Sequence, residues 1–258
     1  MVFSESFDNA SLPTALGLGA QLGGQLQLVS DPAETFGGKG KSLKVTYPAQ
    51  VAGAIGASFA WGSVNLTPYN TNDVYIRFRA KMPKLKGGLK FAKIYNQQPA
   101  GTGYAHATFG LDYGLGTMTA VSFGDGTALE NDAQQAIRFD GTNPDWVGRS
   151  YGKSGFLVST PQGKSFEALD WGTDWHLFEL YAKFNSGTSA ATEKNDGEFF
   201  VRIDGRVYVD AKGLFNRNYK NLPLERIEIL GWSQPPKQES TPSFEVWYDD
   251  IQVSIHGH

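Results

Sequence analysis

GEFFVRIDGRVYVDA, residues 197–211, is a β-hairpin written in sequence. Two runs of strand formers flank Asp204-Gly205, a pair that accepts the positive φ angles of a two-residue type I′ turn. Outward from it, DWHLFELYAKFN (174–185) precedes the hairpin and SFEVWYDDIQVSI (243–255) follows it. Both are dense in the aromatic and β-branched residues that suit a pleated, half-buried surface. Together the three segments predict the closing strands of a large antiparallel sandwich. The last of them carries two adjacent carboxylates, Asp249 and Asp250.

The rest of the chain has the same grammar. Across residues 73–82, Val74, Ile76, Phe78, Ala80 and Met82 alternate with Tyr75, Arg77, Arg79 and Lys81, the period of two expected of a strand with one buried face. Further strand candidates lie at 2–7, 25–30, 42–47, 57–61, 89–95, 105–113, 118–123, 175–184, 198–203, 206–210, 226–232 and 244–255, separated by glycine, proline and asparagine. Helical patterning is confined to two short candidates, 129–136 and 211–215. Strands without βαβ alternation predict an all-β chain, one two-sheet antiparallel β-sandwich spanning 1–258 with its terminal strands in one sheet. The stretch 129–164 is expected to be a long irregular loop, and such loops usually carry function.

Composition removes several classes. The 258 residues include no cysteine, which excludes disulfides and thiolate metal sites. A chain of this length buries enough surface to stand without them. A net charge of −3 lacks the basic excess of a nucleic-acid binder. No apolar run reaches the length of a membrane span, so membrane insertion is not expected. The opening MVFSESFDNASLP has no basic segment followed by an apolar core, so no signal peptide is visible. Cytosolic synthesis, removal of a leader, and release inside a phage particle all remain open. The expected location is extracellular or virion-associated.

An opening FSESFDN (3–9), the strand DWHLFELY (174–181), the hairpin EFFVRIDGRVYV (198–209) and a closing WYDDIQVS (247–254) together resemble the concanavalin A-like jelly roll of lectins, laminarinases and several polysaccharide lyases. GGLKFAKIYN (87–96) followed by HATFGLDYG (106–114) is similar to lyases acting on uronate polymers. The resemblance implies a polysaccharide partner. It also implies a structural calcium ion between the first and last strands, drawn from Glu5, Asp8, Asp249 and Asp250, whose hard oxygens suit that cation. On the residues alone, Asp249-Asp250 serves equally as a hydrogen-bonded cap of the last strand. Laminarinase-type hydrolases carry their acid and nucleophile as E-x-D-x-E on one strand, and the pattern is missing here, which argues against retaining glycoside hydrolysis of that type.

A lyase needs a base for the C5 proton of a uronate and a partner for its carboxylate. Lys93, Tyr95, His106 and Arg138 are the candidate catalytic set, with Asp112 and Tyr113 as substrate contacts. Lys93 and Tyr95 share a face of their strand with Leu89 and Phe91, and a lysine in that company equally snorkels from a core edge. Tyr75, Arg77 and Arg79 offer an aromatic ring and two guanidinium forks that suit sugar carboxylates, or form a merely solvated face. Trp146, in TNPDWVGRS of the long loop, is expected either to clamp a sugar over that stripe or to pin its own loop. His176, between Trp175 and Leu177, reads as a packed residue, and no G-x-S-x-G or G-x-G-x-x-G motif occurs. The leading expectation is a glycan-binding jelly roll, a decoration or attachment protein of a virion surface assembled into a larger particle. The alternatives are a polysaccharide lyase cleaving an anionic uronate-containing glycan by β-elimination, and a purely structural capsid or tail decoration module.

Overall fold

The computed structural model describes residues 1–9, 11–12, 16–52, 57–83, 88–96, 105–111, 117–125, 135–140, 143–150, 157–159, 174–184, 186, 194, 196–214, 223–234 and 240–255; between 105 and 159 only the course of the backbone is described. Two antiparallel sheets face one another. Sheet 1 contains β1 (Phe3–Glu5), β3 (Gln25–Val29), β4 (Ser42–Tyr47), β7 (Asp73–Lys81), β13 (Leu157–Ser159), β14 (His176–Lys183), β15 (Gly197–Ile203), β16 (Arg206–Leu214) and β18 (Phe244–Ser254). Its order is β13-β16-β15-β14-β7-β18-β4-β3, with β1 also on β18. Sheet 2 contains β2 (Gly19–Ala20), β5 (Ala57–Ser58), β6 (Ala60–Asn65), β8 (Gly88–Asn96), β9 (Ala105–Leu111), β10 (Thr117–Asp125), β11 (Gln135–Asp140), β12 (Asn143–Ser150) and β17 (Leu224–Gln234). Its order is β12-β11-β10-β9-β8-β17-β6-β2, with β5 also on β17. The terminal strands pair, Phe3 opposite Val253. Among the described residues the helical content is 3₁₀ only, in the turns Phe36–Gly38 and Thr67–Tyr69 and at Leu16.

Alternation decides which side chains meet between the sheets. On β7, Val74, Ile76, Phe78 and Ala80 are fully buried, and on β14 so are Phe178 and Leu180. Phe78 stacks on Phe178 with ring centroids 5.0 Å apart and meets Tyr248 of β18 at 6.0 Å. Ile227 and Ile229 of β17 close the core from sheet 2. The Tyr47 hydroxyl donates to the carbonyl of Leu230, so a phenol from sheet 1 satisfies the backbone of sheet 2.

The β15–β16 hairpin turns at Asp204 (φ 51°) and Gly205 (φ 77°), the left-handed pair that its sequence predicts. A Cβ on Gly205 would meet nothing within 4 Å, so a substitution there costs conformation rather than space. Gly205→Ala is expected to lower stability by roughly 1–2 kcal/mol, seen as a lower denaturation midpoint with an unchanged slope.

Two expectations are corrected. The stretch 129–164 is not an irregular loop, since β11, β12 and β13 run through it, and Trp146 therefore belongs to β12. β11 pairs with the strands on either side of it in sequence, β10 and β12, and only β13 finds a distant partner, β16; their own alternation is too weak to announce them. The helix candidate 211–215 is strand as far as Leu214, because β15 offers a ladder that overrides local helix propensity. Of the candidate at 129–136, Gln135 and Ala136 are in β11 and the remainder lies outside the described residues.

Candidate functional site

β8 holds two of the candidate residues, and a bulge decides where they face. The β8–β17 register shifts between Ile229 and Trp232, and the β8–β9 register shifts between Lys90 and Ala92. Leu89 is fully buried on one side of that shift, and Ala92 and Ile94 are buried on the other. Strict alternation would put Leu89 and Lys93 on the same face; the extra residue of the bulge separates them. Lys93 thus stands on the outer face of sheet 2, not on an apolar edge with Leu89.

On that face the register sets two rows. Glu228 of β17, Lys93 of β8 and Thr108 of β9 lie opposite one another, and Arg226, Tyr95 and His106 form the row beside it. The Tyr95 hydroxyl donates to Glu228 Oε2 at 2.9 Å. The Arg226 Nε donates to Glu228 Oε1 at 3.1 Å, and its guanidinium lies 4.3 Å over the Tyr95 ring. Lys93 Nζ lies 6.0 Å from the same ring centroid. Burial works against the Arg226 charge, but the hydrogen bond it donates to Glu228 and the charges of Glu228 and Glu225 outweigh it and hold the guanidinium more firmly protonated than usual. One carboxylate therefore orients both a phenol and a cation. Arg226 and Glu228 went unnoticed among the candidates, although their alternation with Ile227 and Ile229 in LERIEIL marks them as outward-facing.

The other candidates are placed by backbone alone or not at all. His106 is directly opposite Tyr95. Arg138 lies two strands further out on β11, opposite Thr119 and Val147. Trp146 is on β12, in sheet 2, whereas the Tyr75 stripe is on β7 of sheet 1, so the expected clamp of Trp146 over that stripe joins opposite sheets and is corrected. Asp112 and Tyr113 lie outside the described residues.

The outer face of sheet 1 is a network of internal bonds. Glu179 accepts from Tyr75 at 2.5 Å and from both Nε and Nη2 of Arg202, at 2.6 and 2.5 Å. Burial alone would raise its pKa, but these bonds and the charges of Arg202 and Arg77 win and hold the carboxyl below its ordinary range. Burial, then the bond to Glu179, pushes Tyr75 up to about 12. Arg79 bonds Asp250 at 3.2 Å and stacks 3.8 Å over Phe36. Lys81 donates to the Ala33 carbonyl, and Lys44 pairs with Glu34 and Glu245.

The carboxylates expected to hold calcium are each engaged in bonds within the protein. Among the described residues no group of three His, Cys, Asp or Glu is arranged to bind a metal. Glu5 accepts from the Phe7 amide and Asp8 from the Lys41 amide. Asp249 accepts from Ser42 Oγ and from the Asp250 amide, while Asp250 turns to Arg79. Burial raises the Asp249 pKa to about 6, with smaller contributions from the nearby charges of Asp250 and Asp8. Its folded value is thus above the unfolded one, so its contribution to stability is greatest below pH 4 and is lost as pH rises through 6. Asp249→Asn keeps both contacts, the amide donating to Ser42, and removes the charge. It is expected to melt higher than the wild type at pH 8 and to match it near pH 4.

His176 is buried, as its surroundings predict, with Nδ1 2.6 Å from Asp204 Oδ2. Asp204 also accepts from the Leu177 amide, so the pair ties the hairpin tip to β14.

No protein-family model matches the chain, and no curated protein matches it. Solved structures do. The cellulose-induced protein Cip1 superposes with a TM-score of 0.56 at 15% identity, covering 98% of this chain and 96% of that one. An endo-β-1,4-glucuronan lyase from the fungus Trichoderma reesei gives 0.55 at 13% identity over 98% and 95%. Alginate lyase vAL-1 from Chlorella virus gives 0.51 at 15% identity over 94% and 94%. At these identities the likeness is one of fold: the chain shares the jelly-roll sandwich of these structures.

Proposed function

We propose that this chain is a polysaccharide lyase acting on a uronate-containing glycan at the outer face of sheet 2. The observation that carries the reading is the Tyr95 cluster. A phenol is held by Glu228 under the Arg226 guanidinium, beside Lys93 and opposite His106 in register. β-Elimination asks for these parts. The C5–H bond breaks, its electron pair forms the C4=C5 double bond, and the C4–O4 bond breaks with O4 taking up a proton. Glu228 accepts the hydrogen bond of the Tyr95 hydroxyl and fixes its place, and the phenol can deliver its proton to O4. His106 takes the C5 proton, and Lys93 sits against the uronate carboxylate as it gains enolate character; Arg138, three strands from Lys93, is left out of this step. The fold shared with a glucuronan lyase and an alginate lyase supports the choice of substrate class.

The second reading is a jelly roll that binds the same glycan without cutting it, including as an attachment protein on a particle. The bond from Tyr95 to Glu228 favours it, since a phenol so engaged must exchange partners to act. Incubation with glucuronan and alginate, followed by ultraviolet absorbance of the unsaturated product, separates the two. Rising absorbance is expected. Silence across a broad panel of uronate polymers, with retained binding, would leave the binding reading standing.

A further inference from the structure

On the outer face of sheet 1 most charged side chains of the described residues are joined into pairs; Arg77 at the centre and Lys212 at the β16 side of the sheet are not. Arg77 of β7 lies between Glu179 of β14 and Gln252 of β18 in register. Glu179 has spent its oxygens on three bonds from Tyr75 and Arg202. Asp250 is taken by Arg79, and Glu198 by Lys183. Arg77 makes no hydrogen bond or ion pair with any described residue, although its charge is felt at Glu179. It cannot turn inward, because Ile76 and Phe78 on either side are fully buried and a flip would exchange them.

Beside it runs an aromatic row. Phe200 of β15, Tyr181 of β14 and Tyr75 of β7 are directly opposite one another across three adjacent strands, a span of roughly 10 Å. Phe200 and Tyr75 are half-buried and flank the buried Tyr181. An aromatic row with a guanidinium at its edge that no described residue pairs fits a ring with an apolar face and a carboxylate. We propose that the outer face of sheet 1 is a second, non-catalytic surface for an anionic glycan, in which Arg77 forks onto a sugar carboxylate and the Phe200–Tyr181–Tyr75 row takes the sugar face. The choice of a uronate as occupant rests on the function proposed above; the surface itself does not. β7 and β8 belong to opposite sheets, so this surface is on the far side of the sandwich from Tyr95. The segment of glycan held there is not the segment being cut, which makes it an anchoring contact.

The test is a calorimetric titration with a uronate tetrasaccharide, run on wild type, Arg77→Ala and Arg77→Lys, with a neutral cello-oligosaccharide as control. The wild type is expected to show an Arg77-dependent phase, weakened roughly 10- to 100-fold by Arg77→Ala and partly restored by Arg77→Lys. The phase should also weaken as salt rises. The melting temperature of Arg77→Ala should match the wild type, since no bond is lost among the described residues. If it falls, Arg77→Lys alone decides, by a loss of affinity in a folded protein. Arg77 variants that titrate as wild type, or a neutral oligosaccharide that fills the phase equally well, would overturn the proposal. Ultraviolet lyase assays on the same proteins keep the two readings apart. Undiminished cleavage with no Arg77-dependent binding sinks this surface alone; Arg77-dependent binding with no cleavage by any protein sinks the lyase alone.

Discussion

Phe78→Ala is expected to lower the free energy of unfolding by about 3–5 kcal/mol, enough to unfold a marginal domain. The residue is fully buried at the middle of β7, the strand between β14 and β18 in sheet 1. Its ring stacks on Phe178 with an interplanar angle of 8° and tilts at 46° against Tyr248. Truncation removes the transfer free energy of a benzyl group and leaves a cavity between two rings whose strands are pinned by ladders on both sides. That pinning limits collapse, which places the cost toward the upper part of the range. Phe78→Leu, which retains much of the volume, should cost less than half as much. Equilibrium denaturation of both variants checks this; equal costs would mean that the site repacks freely and that the ring stack contributes little.

Tyr95→Phe is expected to reduce kcat on a uronate polymer by roughly 10²- to 10⁴-fold, the usual worth of a positioned proton donor. The substitution removes one oxygen, and with it the bond to Glu228. The ring under the Arg226 guanidinium stays, so the fold and glycan affinity should change little. Glu228→Gln is the companion variant. It keeps an acceptor for the phenol but removes the charge that also holds Arg226, so kcat should change far less than in Tyr95→Phe. Steady-state rates from pH 5 to 10, read by ultraviolet absorbance, measure both. A Tyr95→Phe protein as fast as the wild type would remove Tyr95 from the chemistry and return the cluster to a structural part in sheet 2.

What was legible in the sequence is what short-range physics controls. The Asp204-Gly205 turn was readable because two adjacent left-handed residues are tolerated by few amino-acid pairs, and the turn holds at φ 51° and 77°. The β7 face was readable because a strand alternates with a period of two wherever it lies, so Val74, Ile76, Phe78 and Ala80 had to go in together. The two-sheet all-β sandwich and the pairing of the terminal strands follow from many such segments without helices between them. Tertiary structure decided the rest. The bulge near Lys90 turned Lys93 away from Leu89, and a bulge is set by the register of the partner strands, which no local pattern encodes. The assignment of β7 to one sheet and of β8 and β12 to the other separated Arg77 from Lys93 and Trp146, because the sheet a strand joins is set by its partners and not by its own pattern. The strands of 129–164 and the ladder through Leu214 exist because an adjoining strand offers hydrogen bonds that their own residue pattern does not announce. Glu179 and Glu228 show the same division at the level of single bonds. Each was visible as an outward carboxylate, but only the neighbouring strand determined which cation and which phenol it would hold, and so which charge it would leave for a ligand.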